Sequence, residues 1–222
     1  MLSRAHDAGV LKIICISTSI EDSKQAAEFA SAHDGVYWTY GVHPEGASSF
    51  AVPSSYDFSL QSPVAIGEVG LDYHYAGYDR QAQIRLFEEM LQLAVDNDLP
   101  LSFHVREAFS DFFPVVANFP SVRGVVHSFT DSKKVLKRLL AETDFYIGVN
   151  GLATYSTLPL PPLERILLET DAPFLTPVPF RGIINESAYV REIALWLAQK
   201  VGQNFKTIEE MTTKNATKLF SL

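Results

Sequence analysis

Seven short apolar runs, at 11–17, 36–42, 64–67, 99–105, 124–129, 145–149 and 166–169, alternate along this chain with amphipathic stretches, and no other feature restricts its fold as much. Each run is nearly continuous in apolar residues, as strands buried on both faces of a parallel sheet must be. Between them, 81–97 sets Ile84, Phe87, Leu91 and Ala94 on one helical face, and 187–201 does the same with Val190, Ile193, Ala194 and Leu197. Asp131 or Ser132 is placed to cap a helix over 133–141, Gly35 to close one over 22–33, and Thr207 to open the last helix in a capping box with Glu210. Two connections are long, 44–63 and 151–162. The rhythm predicts the α/β class, a TIM-type (β/α)8 barrel in one domain over 1–222. Such a barrel needs eight strands and about 250 residues. Only seven are evident and the chain opens in the tail of a helix at 2–8, so the first βα unit, roughly 25 to 30 residues, is expected to be missing.

Charge and cysteine content narrow the function. The 222 residues carry 18 Lys and Arg against 26 Asp and Glu, a net charge of −8. Sequence-independent nucleic-acid binders are usually basic, because counterion release drives their binding. An acidic chain can meet a polyanion only through a local patch or bound cations. Cys15 is the single cysteine and reads as a small buried hydrophobe in a strand, so a reducing compartment is the default. No window approaches the ~18 to 20 apolar residues of a membrane span, and the charged start does not resemble a secretory leader. A cytoplasmic protein without membrane contact is expected, with a monomer favoured.

The polar residues that close the strands carry the chemistry. His43, Glu68, His104, His127 and Asp171 each fall at the C-terminal end of a different predicted strand. In a parallel barrel those ends share one face, where active sites are built. Glu68, His104, His127 and Asp171 form a carboxylate–imidazole set suited to Mg²⁺, Mn²⁺ or Zn²⁺ rather than a thiolate site. If one carboxylate bridges, two ions roughly 3.5–4 Å apart stabilise phosphoryl displacement and supply the missing positive charge. His43 fits the strand-end logic without requiring a ligand role. Tyr73, His74, Tyr75 and Tyr78 follow Glu68 and either stack on bases or pack among themselves. Lys133 and Lys134 read as a solvated pair rather than a phosphate contact.

These residues sit in motifs that resemble one family. Val64-Ala65-Ile66-Gly67-Glu68-Val69-Gly70-Leu71-Asp72-Tyr73 is similar to the GEIGLDY signature of the TatD-type deoxyribonucleases, within the amidohydrolase-like metal-dependent hydrolases. Gly41-Val42-His43-Pro44 resembles their GVHP, Phe103-His104-Val105-Arg106-Glu107-Ala108 their HSRDA, and His127-Ser128-Phe129-Thr130 their HCFTG. Leu168-Glu169-Thr170-Asp171-Ala172-Pro173-Phe174-Leu175-Thr176-Pro177 is close to ETDAPYLTP, and Asn215-Ala216-Thr217-Lys218-Leu219-Phe220 resembles the terminal NA-x-x-LF helix. Six motifs in order span essentially the whole chain.

The resemblance implies a hydrolase of DNA phosphodiesters, an exonuclease on single-stranded or frayed ends, using Mg²⁺ or Mn²⁺, with Zn²⁺ the other candidate. By it Glu68 bridges two metals, His104 and His127 complete one ion, and Asp171 binds the other and orients or deprotonates the attacking water. His43 faces the scissile phosphate, and Arg106 and Arg181 contact phosphate. The family's opening Asp-x-His-x-His has no counterpart here, matching the strand count. One main ion is therefore expected on these residues, with Asp171 less well used. Glu45, Glu107 and Asp131 also depart from the pattern, and Ile183 and Ile184 stand in a loop that is often basic. Two alternatives stay open: hydrolysis of a small-molecule ester or amide on the same scaffold, and a truncated, inactive homologue.

Overall fold

A computed structural model describes residues 1–49 and 62–222. From 50 to 61, the long connection expected over 44–63 lies outside the described residues. The chain forms two compact units, Lys12–Val125 and Met1–Leu11 with Val126–Leu222. Among the described residues no helix is long and apolar enough to cross a membrane.

In the unit Lys12–Val125, strands β1 (Ile13–Cys15), β2 (Val36–Tyr40), β3 (Ala65–Asp72) and β4 (Leu101–Arg106) lie side by side in chain order and parallel. Ile13 pairs with Val36, Thr39 with Ala65, Gly70 with His104 and Asp72 with Arg106. Helix α3 (Arg80–Asp96) is capped by Asp79 and buries Phe87, Leu91 and Ala94 as expected, with Ile84 half-buried. Phe87, Phe103 and Phe112 meet at ring separations of 6.0, 5.8 and 5.3 Å, which fixes α3 and helix α4 (Phe109–Ala117) against β4. Helix α4 is absent from the expected stretches because Ala108 at its N-cap offers no side-chain cap and Pro114 lies inside it. Helix α2 (Ile20–Ser31) ends at Ala32, so Gly35 is not its cap. Gly35 has φ 77° and its carbonyl accepts from the Ile13 amide, placing it in the turn into β2.

The largest difference lies in β3, which continues past the expected end at Gly67 to Asp72. Gly67 and Gly70 are not terminators. A Cβ on Gly67 would lie 2.6 Å from the Ser102 Cβ, and one on Gly70 2.0 Å from the His104 carbonyl oxygen. Both glycines serve close approach of β3 to β4. Glu68 therefore sits inside a strand, as His104 does in β4, rather than at its end.

Strand β5 (Gly124–Val126) runs across the boundary of the units. In the other unit, β6 (Tyr146–Val149) and β7 (Ile166–Leu168) pair in parallel, Ile147 with Ile166 and Val149 with Leu168. Helices α6 (Val190–Val201) and α7 (Phe205–Phe220) bury Ile193, Leu197 and Ile208 against Val149 and Ile166. Asn215 of α7 donates to the carbonyls of Leu163 (2.8 Å) and Ile166 (2.9 Å) at the start of β7. Ser132, not Asp131, caps helix α5 (Lys133–Glu142). Helix α7 begins earlier than the capping box suggests: Asn204 accepts from the Thr207 amide at 2.8 Å, so Thr207 is inside the helix.

Helix α1 (Leu2–Asp7) is tied to this unit by Arg4, whose Nε donates to both Glu186 oxygens at 3.0 and 2.9 Å. The hydrogen bonds and charge of Arg4 hold the Glu186 carboxyl below the usual carboxylate range. A depressed carboxyl stabilises the fold above its unfolded pKa of about 4.3 and loses that contribution as pH falls through the folded value. Arg4→Met is therefore expected to lower Tm at neutral pH, with the difference fading in melts at pH values below the folded pKa. A difference that persists unchanged in acid would contradict the pairing.

Candidate metal centre

In the unit Lys12–Val125, His43, Glu68 and His104 each bring one ligand atom within 4.8 Å of the others. Glu68 is set by its backbone: its amide donates to the Ser17 carbonyl at 2.6 Å, and β3 shifts register against β4 between Ile66 and Val69. Below it, Thr39 Oγ1 donates to the Gly67 carbonyl at 2.5 Å and accepts from the Ser17 amide at 2.9 Å. Gly41 lets β2's continuation close on this point, since a Cβ there would meet the Gly67 carbonyl carbon at 2.4 Å.

His104 lies between two carboxylates, its Nδ1 2.6 Å from Glu68 Oε1 and its Nε2 2.9 Å from Asp72 Oδ2. Burial alone would lower its pKa, but the bonds to Asp72 and Glu68 outweigh burial and raise it to about 9. Without a cation, both ring nitrogens carry protons. Asp72 is 3% exposed. Burial would raise its carboxyl, but hydrogen bonds from His104 and from the His74 amide hold it below the usual range.

His43 packs edge-on to His104, ring centroids 4.4 Å apart. Burial and the neighbouring His104 lower its pKa, so the ring is neutral near pH 7. Its Nδ1 accepts from the Glu45 amide at 3.3 Å. A backbone N–H can only donate, so Nδ1 holds the lone pair and Nε2 the hydrogen. That tautomer makes His43 a hydrogen-bond donor rather than a ligand.

The donors present fit a divalent cation. Glu68 offers an anionic oxygen and His104 Nδ1 a nitrogen, with no thiolate, which suits Mg²⁺, Mn²⁺ or Zn²⁺. Asp72 would keep the Nε2 proton of His104 and so fix the ring, the usual outer partner of a metal-binding histidine. Asp72→Asn is expected to weaken Mn²⁺ binding by ~10–100-fold in calorimetry; unchanged affinity would contradict that role.

In the other unit, His127 follows β5, and its Nδ1 donates to Glu169 Oε2 at 3.1 Å while Glu169 Oε1 accepts from the Ser128 amide at 2.6 Å. An ionised carboxylate only accepts, so Nδ1 bears the hydrogen and Nε2 is the ligand-capable atom of the neutral ring. Asp171 Oδ1 stands 3.6 Å from that Nε2, on a residue with φ 58°. Gly148 makes room for Glu169, because a Cβ there would lie 2.6 Å from its carboxylate. Asn150 donates to Ser128 Oγ at 2.8 Å and steadies the same turn.

The remaining expected site residues fall as follows. Arg106 pairs with Asp72 across β3 and β4 and lies over the Tyr75 ring at 5.3 Å. Tyr73 donates to Asp111 Oδ2 at 2.7 Å and stacks on Tyr78 at 4.5 Å. Arg181 is exposed, 3.6 Å from the Tyr155 ring centroid. Asp72 and Glu169 are the carboxylates beside the candidate histidines that the sequence reading does not single out. The signal for Asp72 was alternation: Glu68, Gly70 and Asp72 share one face of a strand, provided the strand continues past Gly67. Glu169 was masked by its neighbour Asp171, which was chosen as the carboxylate of the strand end.

Comparison with known proteins agrees with this chemistry. A metal-dependent hydrolase of Buchnera aphidicola subsp. Baizongia pistaciae, of uncharacterized activity, is 33% identical over 235 residues, covering 100% of this chain and 88% of that protein. The 3'-5' ssDNA/RNA exonuclease TatD of Pantoea ananatis is 33% identical over 241 residues, covering 100% of this chain and 92% of its own. The crystal structure of YJJV, a TatD homologue from Escherichia coli K12, aligns with a TM-score of 0.87 at 27% identity, over 100% of this chain and 90% of that one. The fold class is thus that of the TIM-type α/β barrels, with seven strands among the described residues. The family model described as TatD related DNase matches residues 1–221. The chain belongs to the TatD-related DNase family and is, at that level, a metal-dependent hydrolase.

Proposed function

We propose that this protein hydrolyses phosphodiester bonds of single-stranded DNA or frayed ends, as an exonuclease, with water activated by a divalent cation. The observation that carries the reading is the His43–Glu68–His104 group, in which a carboxylate and a fixed imidazole stand beside a neutral histidine that can only donate from Nε2. The name of the Pantoea ananatis relative supports a nucleic-acid substrate. Glu68, His104, His127 and Asp171 are the proposed ligands, for Mg²⁺ or Mn²⁺ first and Zn²⁺ second. A bound cation of this kind polarises a phosphoryl oxygen and lowers the pKa of water. His43 Nε2–H donates to a phosphate oxygen as charge develops there. Asp171 orients the attacking water and accepts its proton, and Arg106 and Arg181 hold phosphates.

A second reading, hydrolysis of a neutral ester or amide, is favoured by Ile183 and Ile184, which are 54% and 77% exposed, and by the net charge of −8. An end-labelled single-stranded oligonucleotide and a neutral aryl ester, each with Mn²⁺ and with EDTA, separate the two. Progressive shortening of the oligonucleotide, abolished by EDTA, is the expected result. Turnover of the ester alone would replace the phosphodiesterase reading, and turnover of neither would support an inactive homologue.

A further inference from the structure

The aromatic residues that follow β3 divide into two kinds. Tyr73 and Tyr78 close on each other with rings 4.5 Å apart and 8° from parallel. The Tyr73 hydroxyl donates to Asp111, and Arg80 donates to the same carboxylate at 2.6 and 2.7 Å. Each ring covers one face of the other, although Tyr78 remains 43% exposed. Tyr75 is different. The residue is 56% exposed, with the Arg106 guanidinium over its ring 5.3 Å from the centroid and the His74 ring in a T-shaped contact at 4.9 Å.

Its supports are themselves fixed to the metal group. The His74 amide donates to Asp72 Oδ1 at 2.9 Å, and His74 Nδ1 lies 2.7 Å from Glu107 Oε1. Glu107 is held at φ 56°, an uncommon conformation for a non-glycine residue that clusters at ligand sites. Arg106 follows His104 by two residues on one face of β4, about 7 Å along the strand. A ring with a guanidinium over one face and an imidazole beside it, one short step from the Glu68–His104 pair, is held in place and has its other face to offer as a pre-ordered flat surface.

We propose that Tyr75, positioned by Arg106 and His74, is the stacking platform for a nucleobase of the strand whose phosphate meets the cation proposed at Glu68 and His104; this rests on the phosphodiesterase reading. A phenol ring stacks on any base, so the platform selects single strands, whose base faces are open, without selecting sequence. It is a specificity residue: it acts on binding of the substrate's end and leaves the chemical step alone.

The test compares wild type, Tyr75→Phe and Tyr75→Ala on two oligomers of equal length and charge, oligothymidylate and an abasic deoxyribose-phosphate chain. Fluorescence anisotropy with Mn²⁺ on phosphorothioate-linked forms of both oligomers, which resist cleavage, reads binding, and steady-state kinetics with Mn²⁺ on the ordinary phosphodiesters read KM and kcat. Wild type and Tyr75→Phe are expected to prefer the base-bearing oligomer. Tyr75→Ala should lose about 5- to 150-fold in affinity for it, with abasic binding unchanged and with the loss appearing in KM rather than kcat. Failure of wild type to distinguish the oligomers, or equal weakening of both in Tyr75→Ala, overturns the platform. Absence of any turnover would defeat the phosphodiesterase reading alone, since the anisotropy comparison still decides what Tyr75 does.

Discussion

Glu68→Gln is expected to reduce metal-dependent hydrolysis by more than the ~10–100-fold typical of an outer partner such as Asp72, because it removes an anionic ligand itself. The amide keeps the size of the side chain and an oxygen that accepts a hydrogen bond, but it brings no charge to a cation and leaves His104 Nδ1 with a neutral neighbour where 2.6 Å now separates it from a carboxylate. Activity and calorimetric Mn²⁺ affinity should fall together, and Tm without metal should change little by comparison. Should Glu68→Gln keep wild-type affinity for Mn²⁺, this group is not the cation site. The contrast with Asp72→Asn is part of the expectation: losing the anionic ligand outweighs losing the residue that orients the imidazole.

Gly70→Ala is expected to be the most destabilising single methyl addition at the strand pair that carries this group. Gly70 has φ 144°, and a Cβ there would lie 2.0 Å from the backbone oxygen of His104, its register partner. No side chain can swing away to relieve that contact. Overpacking of about 1–3 kcal/mol adds to a backbone penalty of about 1–3 kcal/mol, so roughly 4 kcal/mol is expected. For a chain of this size that is a fall in Tm of about 8–16 °C. Gly77→Ala is the control, with φ 89° and no described atom within 4 Å of the added carbon, where only the backbone penalty of about 1–3 kcal/mol applies. Equal melting of the two variants would show that β3 and β4 can part without loss. Separation of the strands would also move His104 from Glu68, so residual folded Gly70→Ala should bind Mn²⁺ weakly.

The parts legible in the sequence were those set by local pattern. Apolar runs located the seven strands among the described residues, the spacing of Phe87, Leu91 and Ala94 located α3, and Ser132 was a readable cap. Glu68 and His104, chosen at strand ends, do come together within hydrogen-bond distance. What escaped was set by contacts far along the chain. Gly67 and Gly70 look like strand breakers until the proximity of Ser102 and His104 explains them, and shortening β3 concealed Asp72. The Asn204 cap was hidden by a Thr207–Glu210 spacing that imitates a capping box. That Tyr73 is drawn in depends on Asp111, 38 residues away, and no periodicity reports that.

The Arg4–Glu186 pair joins positions 182 residues apart, and helix α1 packs within the unit that otherwise begins at Val126. During synthesis helix α1 leaves the ribosome with its docking partner still unmade. At roughly 5–20 residues per second, about 10–35 s separate the two. Lys12–Val125 is complete well before then and can gather its own strands and helices, whereas residues 1–11 must wait, and a nascent chain stalled ahead of Glu186 would hold a settled 12–125 and an undocked α1.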